Sequence, residues 1–290
     1  MKKCSEQEQK IYSLSEQLGY KIEDHLLIIT SDLLGLCHSA NAGIYESIRS
    51  GLATGASIMI PGPWARDAVS HYRGEPVGVH LTLNSEFDSY RWGPITQAPS
   101  LLDGDGGFPR TVEDLWDHAD IDEVHLECRS QLERAILWGF DISHLSTHLG
   151  ALQNRPEFFD IYLNLAIEFQ LPIRLESADT QATTGFQFRD LAQAEGIPTV
   201  DYYRIRRSQE VADIEKSVNN LKPGVTEISI EPSIDTSEIR AIDGRWSNRV
   251  EHLRLACTEN LSNALTEAKG VLISWRNVRD ALRHNIRKRN

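Results

Sequence analysis

The chain has 290 residues, enough for one large domain or two small ones, with 40% hydrophobic and 25% charged residues. A formal net charge of −12 argues against a nucleic-acid surface, which needs clustered basic residues, and against an anionic membrane face. No stretch approaches the roughly 18 apolar residues of a membrane span, and MKKCSEQEQK lacks the apolar core of a secretory signal.

Residues 1–24 are polar, with Ile11, Leu14 and Leu18 at helical spacing, which predicts a short amphipathic helical extension. From residue 25 to residue 290 the pattern reads as a single domain in which strand-like runs alternate with helical ones. The expected strands are LLIIT (26–30), ASIMI (56–60), VGVHL (77–81), SHLST (143–147), PIRL (172–175), EISIE (227–231) and VLISW (271–275). The expected helices are residues 41–50, 63–72, 122–139, 155–170 and 248–258, and the basic end RHNIRKRN reads as a solvated tail. Alternating strand and helix predicts an α/β fold of mostly parallel strands, an irregular or incomplete (β/α) barrel. Cys4, Cys37, Cys128 and Cys257 form no C-x-x-C pair and read as reduced thiols of a cytoplasmic protein.

In such barrels chemistry sits where strands end. Side chains alternate faces along a strand, so Asp32 shares a face with Ile28 and Thr30, and His148 with His144 and Ser146. His80 lies at the end of the third run, one residue before its last, Leu81. Two imidazoles and a carboxylate at one barrel mouth suit an open divalent metal site with a place for water. Each has a plainer reading, Asp32 as a turn cap and the histidines as hydrogen-bonded structural residues. His38, in the loop after Asp32, reads as a substrate contact or a solvated residue, and Trp92 as a sugar-stacking ring or a plug at the core edge. DGDGG (103–107) lacks the rest of a calcium loop and reads as a turn.

The segments LIITSDLLGLCHSANAGI, GVHLTLNSE, YRWGP, PSLLDGDGGF, HLSTHLG and VLISWR occur in order, and with them the chain resembles the YdjC-like carbohydrate deacetylases. The resemblance implies a metal-dependent hydrolase, with Zn²⁺ or Mg²⁺ as the divalent ion. The enzyme would remove the acetyl group from an N-acetyl sugar or oligosaccharide, and a homo-oligomer is one option for its assembly. It implies an acidic pair at the first strand end, the first acid acting as base and the second as metal ligand, with His80 and His148 completing the site.

Three positions depart from the family. Leu33 stands where the second acid belongs, Ser146 where an acid precedes the second histidine, and Glu231 where a histidine lies near the last strands. Asp32 is thus base or ligand. Glu231 either supplies the missing carboxylate, or is a solvated loop acid, or pairs with an arginine such as Arg91 or Arg174. The alternative to a working hydrolase is a catalytically impaired relative that binds a carbohydrate or a protein partner.

Overall fold

The computed structural model describes residues 12–204 and 211–289. Among the described residues seven strands build one sheet: β1 (His25–Leu34), β2 (Gly55–Ile58), β3 (Val77–Leu81), β4 (Ile142–Thr147), β5 (Tyr202–Arg204), β6 (Gly224–Ile230) and β7 (Gly270–Leu272). Their order is β4-β3-β2-β1-β6-β5, every pairing is parallel, and β7 joins β1 alongside residues 25–27. Parallel strands need crossovers, and helices such as His38–Arg49, Ile121–Leu137 and Pro156–Phe169 supply them. Their apolar faces, including Ile44, Leu132, Phe159 and Tyr162, bury against Ile58, Val79 and Leu145 of the sheet.

The sheet is strongly curled. Arg174 belongs to a segment that bridges to β4 at Leu145, four strand spacings from β1, or about 19 Å in a flat sheet. Yet its Nη1 lies 2.7 Å from Asp32 on β1, and its Nη2 lies 2.6 Å from Glu227 on β6. Only a sheet curved towards a barrel brings those groups together, so the expected incomplete barrel is observed.

Most expected elements are present, with differences. The run 172–175 contributes a single bridge rather than a strand. β5 lies outside the expected set, as do several helices, among them Val112–His118, Ala178–Thr184, Val211–Asn219 and Glu259–Glu267. The basic end is helical up to Arg289, the close of a helix Trp275–Arg289 whose earlier turns bury Val278 and Leu282, while His284, Arg287 and Lys288 are exposed as expected. Its Arg279 donates to Asp141 and to the Ile142 carbonyl. Of the N-terminal extension, Leu14–Gln17 is helical, and Leu14 packs with Leu26, Ile28 and Val225 of the sheet. Ile11 and Cys4 lie outside the described residues. No described helix is long and apolar enough to cross a membrane.

Candidate active site

The barrel interior is polar because the inward faces of β1 and β6 carry Thr30, Asp32, Glu227 and Ser229. Glu227 is fully buried and would be costly without partners. It accepts from Thr30 Oγ1 at 2.6 Å, Arg174 Nη2 at 2.6 Å and Trp275 Nε1 at 2.8 Å. Arg174 turns its Nη1 to Asp32 Oδ2, and Ser57 donates to Asp32 Oδ1 at 2.5 Å. Burial opposes the guanidinium charge, but Asp32 and Glu227 outweigh it and hold its pKa well above the ordinary value. Asp32 is therefore a carboxylate fixed from both sides, and Arg174 pairs with Asp32 and Glu227 rather than with Glu231.

A second chain of side chains lies on β3 and β4. His80 Nδ1 is 2.7 Å from Ser146 Oγ, His80 Nε2 is 3.3 Å from His148 Nδ1, and His148 Nε2 is 2.9 Å from Glu86 Oε2. Burial, then the neighbouring His148 and Arg174, push the His80 pKa well below its ordinary value, which keeps that ring neutral. Burial alone would raise the Glu86 pKa, but His148 pulls it below the ordinary carboxylate value. Ser146, at the departed acidic position, still serves His80 as a hydrogen-bond partner. Deeper in the barrel His144 is buried against Gly78 and stacks on Trp275, with ring centroids 4.9 Å apart.

Asp32, His80, His148 and Glu231, from the ends of four strands, line one cavity of about 530 Å³. Glu231 Oε2 lies 3.2 Å from Arg249 Nη1, and its backbone N–H donates to His252 Nδ1. The structure does not bring His38 or Trp92 into this cavity. His38 is exposed, with its ring edge against Trp64. Trp92 is 4% exposed, donates Nε1 to the Asn84 carbonyl and packs near the His148 ring, so it is a core plug behind the site. Asp103, in the DGDGG turn, is engaged by Arg91 and Arg110.

Sequence reading passed over Glu86, Ser57 and Arg249. Arg249 is buried on the helix Trp246–Ala256, and Glu86 follows the His80 strand without periodicity to mark it. Glu227 carried a signal, since it shares a strand face with Glu231, and a buried acid demands a buried cation.

The metal expectation can be tested on the donors themselves. Two nitrogens on a tetrahedral Zn²⁺ stand about 3.3–3.4 Å apart for ordinary Zn–N bonds, and the facing nitrogens of His80 and His148 are 3.3 Å apart. The pair fits two corners. A third donor is missing at the position next to Asp32, because Leu33, which lines the same cavity, is a hydrocarbon. Among the described residues no three His, Cys, Asp or Glu side chains converge as a metal-holding group. The residues present do not fit a centre with three protein ligands.

Comparison with known proteins agrees with the resemblance. A family model described as YdjC-like protein matches residues 26–267. The chain is 33% identical over 264 residues to a carbohydrate deacetylase of Thermus thermophilus, covering 89% of this chain and 95% of that one. It is 26% identical over 233 residues to a carbohydrate deacetylase of Thermoanaerobacter pseudethanolicus, covering 77% and 87%. A crystal structure described as a cellobiose-phosphate cleavage protein of Enterococcus faecalis superposes with a TM-score of 0.77 at 21% identity, covering 88% of this chain and 99% of that one, and shows the same fold. With a match that runs from β1 to the helix before β7, the chain belongs to the YdjC-like protein family.

Proposed function

We propose that this protein is a carbohydrate deacetylase that hydrolyses the C–N bond of an N-acetylated sugar or oligosaccharide. The carrying observation is that Asp32, His80, His148 and Glu231 line one cavity large enough for a sugar unit. The deacetylase name of a relative matched over 95% of its length supports the reaction type.

In this reading water attacks the acetamide carbonyl, a C–O bond forms, the C–N bond breaks, and acetate and a free amine leave. Asp32, held by Arg174 and Ser57, takes the proton of the attacking water. His148, backed by Glu86, delivers a proton to the leaving nitrogen. Glu231, tied to Arg249, orients the sugar. A divalent ion, Zn²⁺ or Mg²⁺, belongs to the family expectation. Here only His80 and His148 would hold it, so its binding is expected to be weak, and with the ion bound His148 would be a ligand in place of the proton donor.

The test is acetate release from an N-acetylglucosamine disaccharide, with and without added Zn²⁺ or Mg²⁺. The expected result is equimolar acetate and amine, with Asp32→Asn and His148→Ala each slowed on the order of 100-fold or more. Equal acetate release from wild type and both variants would overturn this assignment of roles. Leu33 favours a second reading, a pocket that binds the sugar without cutting it. Calorimetric binding without acetate under either metal would establish that one instead.

A further inference from the structure

The cavity wall beside the reacting groups is not polar throughout. Val112 and Trp116 stand one turn apart on the helix Val112–His118 and so share a face. Both line the cavity, and both are half-buried against the main core. Trp116 is fixed in place. Its Nε1 donates to the Ala151 carbonyl at 2.9 Å, and Arg155 donates to the Trp116 carbonyl and lies 5.8 Å from the ring centroid. Arg155 stands outside the cavity lining, so the ring surface that meets the cavity is the part Arg155 does not cover. With the indole N–H spent inside the chain, Trp116 offers a ligand only carbon.

Leu149 extends this surface. It follows His148 directly, lines the same cavity and is 47% exposed, so a ligand in the cavity can reach it. Its φ is 52°, in the left-handed region, where a leucine is strained. Exposure and strain both oppose a leucine at this place, and a ligand laid over it removes the first. Exposed Glu113 and Asn154 line the same cavity and supply polar groups beside the carbon ledge. An apolar ledge with a polar edge matches a pyranose, which has C–H groups on its face and hydroxyls around its rim. A purely apolar ligand would leave that edge unused. The cavity, about 530 Å³, falls in the range that holds a drug-sized ligand, larger than one sugar ring.

We propose that Val112, Trp116 and Leu149 form a stacking ledge for a second sugar ring, next to the ring whose acetamide meets Asp32 and His148, and that Glu113 and Asn154 take hydroxyls of that second ring. This deepens the carbohydrate reading above and rests on it. Trp116 and Leu149 are specificity-determining residues, since they touch the sugar away from the bond that breaks.

The test is calorimetric binding of N-acetylglucosamine and of its β-1,4-linked disaccharide to the full chain, in wild type, Trp116→Ala, Trp116→Phe and Leu149→Asn. Wild type is expected to bind the disaccharide about 10-fold or more tightly than the monosaccharide. Trp116→Ala is expected to lose most of that advantage and to keep its affinity for the monosaccharide. Trp116→Phe, which restores a flat ring, is expected to recover part of the advantage. Leu149→Asn suits the left-handed backbone at an exposed position, so it is expected to fold and to lower the ratio severalfold. A general loss of packing would weaken both sugars together and leave the ratio unmoved. An unchanged advantage in folded Trp116→Ala overturns the ledge and leaves the carbohydrate reading intact. So does an unchanged advantage in Leu149→Asn where Trp116→Ala does not fold, and so does equal binding of the two sugars by wild type. Failure of wild type to bind either sugar overturns both.

Discussion

Leu33 occupies a backbone position that suits another residue. Its φ is 69°, in the left-handed region, where a branched apolar side chain costs roughly 1–2 kcal/mol and Asp or Asn is better tolerated. The register of β1 against β2 shifts between Ser31 and Leu34, so this strained residue sits in a bulge that aims it at the cavity. The backbone here thus suits an acidic residue, while the side chain present is a hydrocarbon. Leu33→Asp is therefore expected to fold and to tighten Zn²⁺ binding by at least about 100-fold over wild type, since it adds a third donor beside the two imidazoles. Competitive titration with a chelating dye measures it, and an affinity equal to wild type would mean that Asp32, His80 and His148 do not surround this position. Asp32, His80 and His148 were legible because strand alternation alone places them at strand ends. The pairing of Arg174 with Asp32 and Glu227 was not, because it depends on which strands are neighbours and on the curl between them.

The same division holds for elements. Long apolar runs such as LLIIT and VGVHL announce buried parallel strands, and their central residues are all buried. β5 is only three residues, Tyr202–Arg204, with one of them buried, and offers no run to detect. The run 172–175 looks like a strand, yet its backbone pairs with β4 only around Ile173, through the bonds of Leu145 N–H to the Pro172 carbonyl and of Arg174 N–H to the Leu145 carbonyl. The last helix was hidden behind its basic composition, and its anchor is specific. Trp275 begins it, is buried, stacks on His144 and donates to Glu227. Trp275→Phe preserves the ring contact and removes the donor. Loss of a hydrogen bond to a buried carboxylate is expected to destabilise the fold by about 1.5–3 kcal/mol, read from the urea midpoint at constant slope. A loss below a few tenths of a kcal/mol would show that Arg174 and Thr30 satisfy Glu227 by themselves.

At the scale of the whole molecule, a barrel with charged and imidazole groups inside it makes stability depend on pH. His144 is 1% exposed, and burial, reinforced by the Arg174 charge, pushes its pKa well below the ordinary 6.5. The unfolded chain therefore binds a proton at this site that the folded chain refuses. Stability contributed by the neutral ring is complete above the unfolded pKa and declines as pH falls below about 6.5, by up to about 1.4 kcal/mol per pH unit, until the folded pKa is reached. Buried Asp243 acts at lower pH. Burial alone would raise its pKa, but Arg249 holds it below the ordinary 3.8, so its contribution is present above that value and is lost as pH falls through the folded one. The expected profile is a decline that begins near neutrality, from the imidazole, and steepens in acid, from the carboxylate. Replacing His144 with Phe keeps a flat ring over Trp275 and removes the titrating group. Urea unfolding between pH 8 and pH 5 is expected to show a smaller loss of stability in His144→Phe than in wild type. An identical slope in the two would mean that the proton uptake of unfolding lies elsewhere in the barrel.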